Sequence, residues 1–426
     1  MNLTKPLMPE SEYAALIGID WATQSHSMAL HDLNSGCIED DTVSSDPSAI
    51  DAWIRKLQKR FPDKKLAVCV ELSRGALISQ LARFPFIDIY PLNPITSARF
   101  RKAFRPSGAK DDRTDARLHL SILTKHRDQL LAWSQLDPQD QSIQLLCENR
   151  RKLVSLQVDL RNRLASVLQD YFPQALTLAG TDLASSLASA FLLKWPDLAS
   201  LKRAKRETIR KFYYAHGCRR GDLIEKRLDA IEQAKPVTEN SSLIEPEIIY
   251  MQSLVAQLGA LRRSLTNIEA EISKTFQAHP DAEIWKSFPG AGEVLAPRLT
   301  AAWTSDRERF AAARDMQTFS GAAPVLIASG KSHTVLRRFH RPRFLHQSFW
   351  EHAKNSTLYC PWAKAYIEDQ VARGKKRSSA YRSLAFKWLR IMFRCWKDRT
   401  TYDEDKYQAA LMHSGSPHHQ AEEAAA

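Results

Sequence analysis

Two short stretches decide the fold of the first part of this chain: Tyr13–Asp20, YAALIGID, and Lys65–Leu72, KLAVCVEL. Each is an apolar run that closes on a carboxylate, Asp20 in the first and Glu71 in the second. Short continuous apolar runs of this kind suit strands buried on both faces, under helical cover. Between them, Ser25–Leu33 and Cys37–Ser44 read as strands around a turn at Asn34–Gly36. Pro47–Phe61 and Ala76–Phe84 have helical spacing, and Asp88–Leu92 is a further strand. Three strands followed by alternating helix and strand predict a mixed sheet covered by helices, an α/β domain over residues 13–130.

Beyond it the pattern becomes all-helical. Over 138–280, Ile143, Leu146, Leu153, Leu156, Leu160, Leu164, Val167 and Tyr171 mark one apolar stripe. Met251, Leu254, Leu258, Leu261, Leu265, Ile268 and Ile272 alternate steps of three and four, a heptad seam that predicts a coiled coil, antiparallel within the chain or between copies as a homo-oligomer. Residues 180–240 between them read as polar, basic short helices without an assigned place. Residues 284–400 form a third, mainly helical and basic unit, and 413–426 a low-complexity tail expected to be disordered.

Composition narrows the chemistry. The 426 residues carry 61 Lys and Arg against 48 Asp and Glu, a net charge of +13, and 44% are hydrophobic. An excess of positive charge points toward anionic partners, and the apolar fraction is enough for ordinary cores. No apolar run is long enough to span a membrane, no signal-peptide stretch opens the chain, and the six scattered cysteines lack metal or disulfide spacing, so a reducing cytoplasmic setting is expected. The phosphate-cradling motifs GxGxxG and GxxxxGK[ST] are absent from the sequence.

The first chemical signal is a set of carboxylates. Asp20 and Glu71 end apolar strands, and Lys110–Ala116 reads KDDRTDA, with Asp112 and Asp115 three apart and so on one face of a helix. Hard oxygen ligands without Cys or His suit Mg²⁺ or Mn²⁺. Two such ions about 4 Å apart can clamp both oxygens of a phosphodiester exchange. Taken singly, each acid also fits a turn or a helix cap, and spacing does not separate Asp112 from its neighbour Asp111.

Two weaker signals follow. Phe288–Gly292, FPGAG, matches the hairpin of helix-hairpin-helix units, in which Pro289, Gly290 and Gly292 would turn backbone N–H groups toward phosphate; a plain helix–helix turn fits equally. Ser329-Gly330, within SGAAPVLIASGK, reads on its own as a turn. From Lys331 to Arg399 there are 17 Lys and Arg against four acids, interleaved with Phe339, Phe344, Phe349, Trp350, Trp362, Tyr381, Trp388 and Trp396. This segment, with Lys331, Arg337, Arg338, Arg341 and Arg343 at its start, is expected to bind nucleic acid by phosphate neutralisation and stacking.

Taken together, IGID at 17–20, VCVE at 68–71, LNP at 92–94, KDDRTDA at 110–116, RNRLASVLQDYFP, FPGAGEVLAPRLTAA, FSGAAP and ASGK at 328–331 resemble one family. It is that of insertion-sequence transposases with an N-terminal RuvC-like (ribonuclease H fold) DEDD domain and a serine-bearing C-terminal domain, including bridge-RNA-guided recombinases and Piv-type DNA invertases. The resemblance implies metal-binding acids at Asp20, Glu71, Asp112 and Asp115 and a nucleophilic serine at Ser329. It further implies donor and target DNA, a guide RNA and a dimer or tetramer on DNA as partners, and a prokaryotic, nucleoid-associated place in the cytoplasm. Where the family usually has Thr or Ala-Thr-Gly after the glutamate, this chain has Leu72-Ser73-Arg74-Gly75. Lys331 and His333 are the nearest residues in sequence that could serve Ser329 as a base, with a metal the more natural activator. The expectation is a metal-dependent DNA recombinase; the rivals are a Holliday-junction-type endonuclease that needs the acids but not Ser329, and a non-catalytic nucleic-acid-binding scaffold.

Overall fold

Strand β1 (Tyr13–Asp20) is the middle of a five-stranded sheet, flanked by β2 (Ser25–Asp32) and β3 (Ile38–Ser44) on one side and β4 (Lys65–Val70) and β5 (Ile87–Pro91) on the other. The computed structural model describes residues 13–104, 112–330 and 332–413. The first three strands are antiparallel neighbours, while β1–β4 and β4–β5 are parallel, which gives the order β3-β2-β1-β4-β5. This is the mixed sheet that the strand pattern predicts.

The two faces of the sheet are covered by different helices, and the alternation of β1 and β4 sorts their residues between them. Ala15, Ile17 and Ile19, with Leu66, Val68 and Val70, pack with α1 (Pro47–Arg60) and α2 (Ala76–Leu81). Leu16, Ala67 and Cys69 pack with Ala116, Leu120 and Leu123 of α4 (Asp112–His126), which follows α3 (Pro94–Phe104). Helix α1 begins cleanly because the Asp46 carboxylate accepts from Ser48 and Ala49 N–H and Pro47 opens the first turn.

Residues 13–136, together with 308–311, form one compact unit, and 137–307 with the chain from 312 onward form the second. In the second, α5 (Pro138–Tyr171) and α11 (Ser241–Gln277) run antiparallel: Arg150 pairs with Glu269, and Asp140 with His279 just past the end of α11. The heptad seam is used within the chain. Met251, Leu254, Leu258, Leu261 and Leu265 are buried in one core with Leu160, Leu164 and Leu168 of α5. The stretch read as polar and unplaced closes that core. It supplies α6 (Ala175–Leu178), α7 (Ser186–Lys194), α8 (Leu198–Arg203), α9 (Arg206–Ala215) and α10 (Gly221–Gln233), whose Phe191, Phe212, Tyr213 and Leu228 are buried. These helices were hard to place because each offers only one or two turns of apolar face.

The remaining helices are α12 (Ala282–Lys286), α13 (Gly292–Trp303), α14 (Ala313–Phe319), α15 (Arg343–Ser356), α16 (Pro361–Ala372), α17 (Arg377–Asp398) and α18 (Glu404–His413), with a hairpin of β6 (Val325–Ser329) and β7 (Ser332–Leu336). Trp285, Trp303, Trp362, Trp388 and Trp396 are fully buried among them. This corrects the expectation that the aromatics of 331–399 stack on bases. Phe344, Phe349, Trp362, Trp388 and Trp396 are core residues, and of the eight only Phe339 is largely exposed, at 64%. Aromatics recurring at helical spacing on a basic helix were its buried face. Among the described residues, no helix is long and apolar enough to cross a membrane. The expected tail lies outside the described residues from 414 onward.

Candidate functional site

Alternation places both strand-end acids on one face of the sheet. Leu16 and Gly18 precede Asp20 at two-residue steps, and Ala67 and Cys69 precede Glu71, so both carboxylates belong to the face covered by α4. Ile19 pairs with Val70 in parallel register, which makes Asp20 and Glu71 neighbours at the carboxyl ends of adjacent strands. That edge of an open α/β sheet is where ligands are commonly bound.

Helix α4 reaches this edge because of Gly18. A Cβ at Gly18 would lie 2.1 Å from the Ala116 carbonyl oxygen and 2.3 Å from the Leu120 nitrogen, so only glycine lets the helix lie directly on the strand. Asp115 is then buried, at 3% exposure, with Asp112 exposed one turn earlier. Asp111 and Lys110 lie outside the described residues.

Three residues that the motif reading did not single out complete the arrangement. Arg101 on α3 holds Asp115 by a bidentate pair, Nε–Oδ1 and Nη2–Oδ2 both 2.8 Å. His119, one turn after Asp115, is fully buried with Nδ1 2.9 Å from the Ile19 carbonyl and Nε2 3.1 Å from Ser97 Oγ. Burial keeps its pKa below the ordinary imidazole value. The neutral ring therefore donates from Nδ1 to the carbonyl and accepts from the Ser97 hydroxyl at Nε2. Glu71 Oε2 stands 3.7 Å from Nε2, beyond hydrogen-bond range. The available signal was the i, i+4 spacing of Ser97 and Arg101 after LNP, and of Asp115 and His119 in α4.

The donor chemistry suits a hard divalent cation, since Asp20, Glu71, Asp112 and Asp115 offer only oxygen. The side chains are not drawn together around one point. Among the described residues, no three His, Cys, Asp or Glu groups form a cluster that could hold a metal ion, and Asp115 has both oxygens on the Arg101 guanidinium. Ligation by Asp115 would use the lone pairs that Arg101 leaves or displace the guanidinium.

In the second unit, Ser329 ends β6 and is exposed beside the turn at Gly330, whose φ is +55°. Antiparallel pairing sets Ser329 opposite Ser332, with Ile327–Thr334 and Val325–Leu336 on the same face. Ala328 pairs with His333 on the other face, so His333 does not stand beside Ser329. Lys331 lies outside the described residues.

The other expected nucleic-acid contacts divide. Gly290 has φ +74°, and a Cβ there would lie 2.8–2.9 Å from the backbone of Asn355 and Ser356. The FPGAG turn is thereby fitted against the end of α15; Pro289 is half-buried and Gly292 is exposed at the start of α13. Arg341 lies against Gly321, where a Cβ would be 2.2 Å from its Cδ, and bonds to the Arg338 carbonyl. Arg337 and Arg343 are exposed and Arg338 half-buried.

Comparison with known proteins gives these features a family. Residues 17–173 match a model of the DEDD transposase type, described as Transposase, and 282–368 match one described as Transposase IS116/IS110/IS902 family. The chain is 26% identical over 419 residues to the "Mini-circle putative transposase for IS117" of Streptomyces coelicolor, covering 96% of this chain and all of that protein. It is 23% identical over 398 residues to the uncharacterized 43.6 kDa protein of insertion element IS110 from the same organism, covering 92% of this chain and 96% of that one. With the uncharacterized 44.8 kDa protein of insertion element IS116 from Streptomyces clavuligerus it shares 24% over 397 residues, 91% and 95% of the two chains. With both matched ranges and near full-length similarity, the chain belongs to an insertion-sequence transposase family, enzymes that cut and rejoin DNA.

Proposed function

We propose that the protein is a site-specific recombinase that moves an insertion sequence by transesterification, with a RuvC-like first domain and Ser329 as its nucleophile. The observation that carries this reading is the gathering of Asp20 and Glu71 on the α4 face of adjacent strand ends, where α4 also brings Asp115. Strand order β3-β2-β1-β4-β5, antiparallel then parallel, supports the RuvC-like assignment. Asp20, Glu71, Asp112 and Asp115 would hold Mg²⁺ or Mn²⁺, which when bound supplies charge stabilisation at a phosphodiester.

The protein's own groups divide the remaining work. Ser329 Oγ bonds to phosphorus as the bond from phosphorus to the leaving DNA oxygen breaks; the seryl proton goes to solvent and the leaving oxygen takes one up. The phosphoserine link conserves the bond for rejoining. His119 and Ser97 fix the carboxyl end of β1 through the Ile19 carbonyl, next to Asp20. Arg337, Arg338 and Arg343 would neutralise DNA phosphates. A guide RNA choosing the site and assembly of several copies, both implied by the resemblance of the sequence motifs, belong to the same reading. Trapping the reaction on a suicide DNA substrate tests it: DNA should attach covalently to wild-type protein and not to Ser329→Ala, whereas a plain endonuclease would cut equally well in both.

A further inference from the structure

One face of α17 is not used by the core. Ala380, Leu384, Ala385, Trp388, Leu389 and Met392 point inward, whereas Arg382, Phe386, Lys387 and Arg390 follow a separate helical stripe. That stripe forms one wall of a cleft of about 610 Å³, with Gly321–Pro324 and the outgoing end of β7 opposite. Arg337, Arg338 and Lys375 add to it, so six cations line the cleft and no Asp or Glu does. Among the described residues, none of the six is ion-paired to a carboxylate. The crowding has electrical consequences. Burial, then Arg341, Arg382 and Arg337, push His346 down to about 4, and burial and Arg390 lower Lys387.

Charge alone would suit any anion, but the walls between the cations are apolar. Phe386 is half-buried in the cleft, Tyr366 lies under the Lys387 ammonium at 4.6 Å, and Val335 and Leu336 are exposed beside them. The volume falls within the roughly 300–1,000 Å³ of sites that engulf a small molecule. Position supplies the last constraint. Val335 pairs with Leu326, three residues and about 10 Å along β6 from Ser329.

We propose that this cleft receives one unpaired nucleotide of single-stranded DNA flanking the attacked phosphate, with its phosphates on Arg337, Arg382 and Arg390 and its base against Phe386. Aromatic faces and guanidinium groups together are the usual means of holding unpaired bases. The location rests on the recombinase reading of Ser329; the binding does not, so the test uses full-length Ser329→Ala protein without divalent cations.

The probe is a short DNA single strand carrying one 2-aminopurine. Binding should quench its fluorescence through stacking. Phe386→Leu, which keeps apolar volume, should abolish the quench and weaken binding about fivefold, the lower end of what one stacked base contributes. Arg382→Gln with Arg390→Gln should weaken binding at least tenfold and reduce the salt slope by about 1.4, the loss of two single-strand phosphate contacts. A fully paired duplex binding as tightly as the single strand, or an undiminished quench in folded Phe386→Leu protein, would overturn the pocket. Tighter binding of the same strand as RNA would assign it to a guide and overturn the DNA assignment. Loss of covalent adducts in wild-type protein, with these results intact, would instead sink the recombinase reading alone.

Discussion

Arg101 grips both carboxylate oxygens of Asp115, and in doing so sets a fixed positive charge on an acid that a metal ion would use. A guanidinium there takes two of the carboxylate's roughly four lone pairs and opposes a divalent cation by like charge. Removing the arginine leaves a buried carboxylate unpaired, which costs about 3 kcal/mol. Arg101→Gln should therefore unfold at lower temperature in EDTA. Mn²⁺ should restore more stability to the variant than it adds to wild-type protein, up to about 2.7 kcal/mol at a hundredfold excess over Kd. Thermal unfolding with and without Mn²⁺ decides this, and identical, metal-independent curves for both proteins would count against a metal site there.

Gly18 offers a sharper steric test. An added methyl would meet the Ala116 carbonyl and the Leu120 backbone, neither of which can rotate away. Gly18→Ala should cost about 1–3 kcal/mol or more as α4 lifts from β1. It should also cut DNA cleavage beyond what the lost stability explains, because Asp115 rides on that helix. A folded variant with wild-type activity would show that the close approach does not matter to the site.

How far these features were legible depends on range. The strands could be read because β1 and β4 are short, apolar and buried on both faces, so local composition alone identifies them. Asp20 and Glu71 stood out because they terminate those runs. Arg101, Ser97 and His119 did not, since their roles arise only when α3 and α4 meet, and the i, i+4 spacings within each helix do not name a partner on the other. Gly18 was visible as part of IGID, but its reason is a helix nearly 100 residues away. The heptad seam was legible as a period and not as a partner, because period alone does not say which helix fills it. In α17 the same ambiguity ran the other way, and the tryptophans were core.

The seam itself is testable. Leu258 is fully buried and Leu265 nearly so, inside the core shared by α5 and α11. Leu258→Glu with Leu265→Glu should destabilise the second unit by more than about 4 kcal/mol, with helicity lost by circular dichroism. A well-folded monomer from this variant would mean that the seam joins copies instead.

Asp140 ties together the start of α5 and the chain after α13. Its oxygens accept from His279 Nε2 at 2.9 Å and from Ser305 N and Oγ at 2.7 and 2.6 Å. Burial raises its pKa, but these hydrogen bonds outweigh burial and bring it below the usual carboxylate value. A carboxylate with a lowered folded pKa adds stability above its unfolded value, near 3.9, and loses it as pH falls through the folded one. Stability of the second unit should thus drop below about pH 4. Asp140→Asn should begin less stable at pH 7 and lose less on acidification, measured by denaturant unfolding at each pH. Parallel pH curves for the two proteins would remove Asp140 from the account.

Ser329 shares its hairpin face with Ser332, so a covalent test must tell the two hydroxyls apart. Both are exposed at the turn, and either could receive a phosphate in a trapped reaction. Peptide mapping of the adduct should find DNA on Ser329, with none formed by Ser329→Ala and adduct retained by Ser332→Ala. The assembly of several copies that belongs to the recombinase reading would allow a composite centre, with acids from one copy and the serine from another. Mixing Ser329→Ala with Asp20→Asn should then recover part of the activity, because some half-sites pair an intact acid set with an intact serine. If each protomer works alone, the mixture stays inactive at every ratio. Undiminished cutting by Ser329→Ala, leaving free phosphate ends, would replace the recombinase by a metal-dependent nuclease.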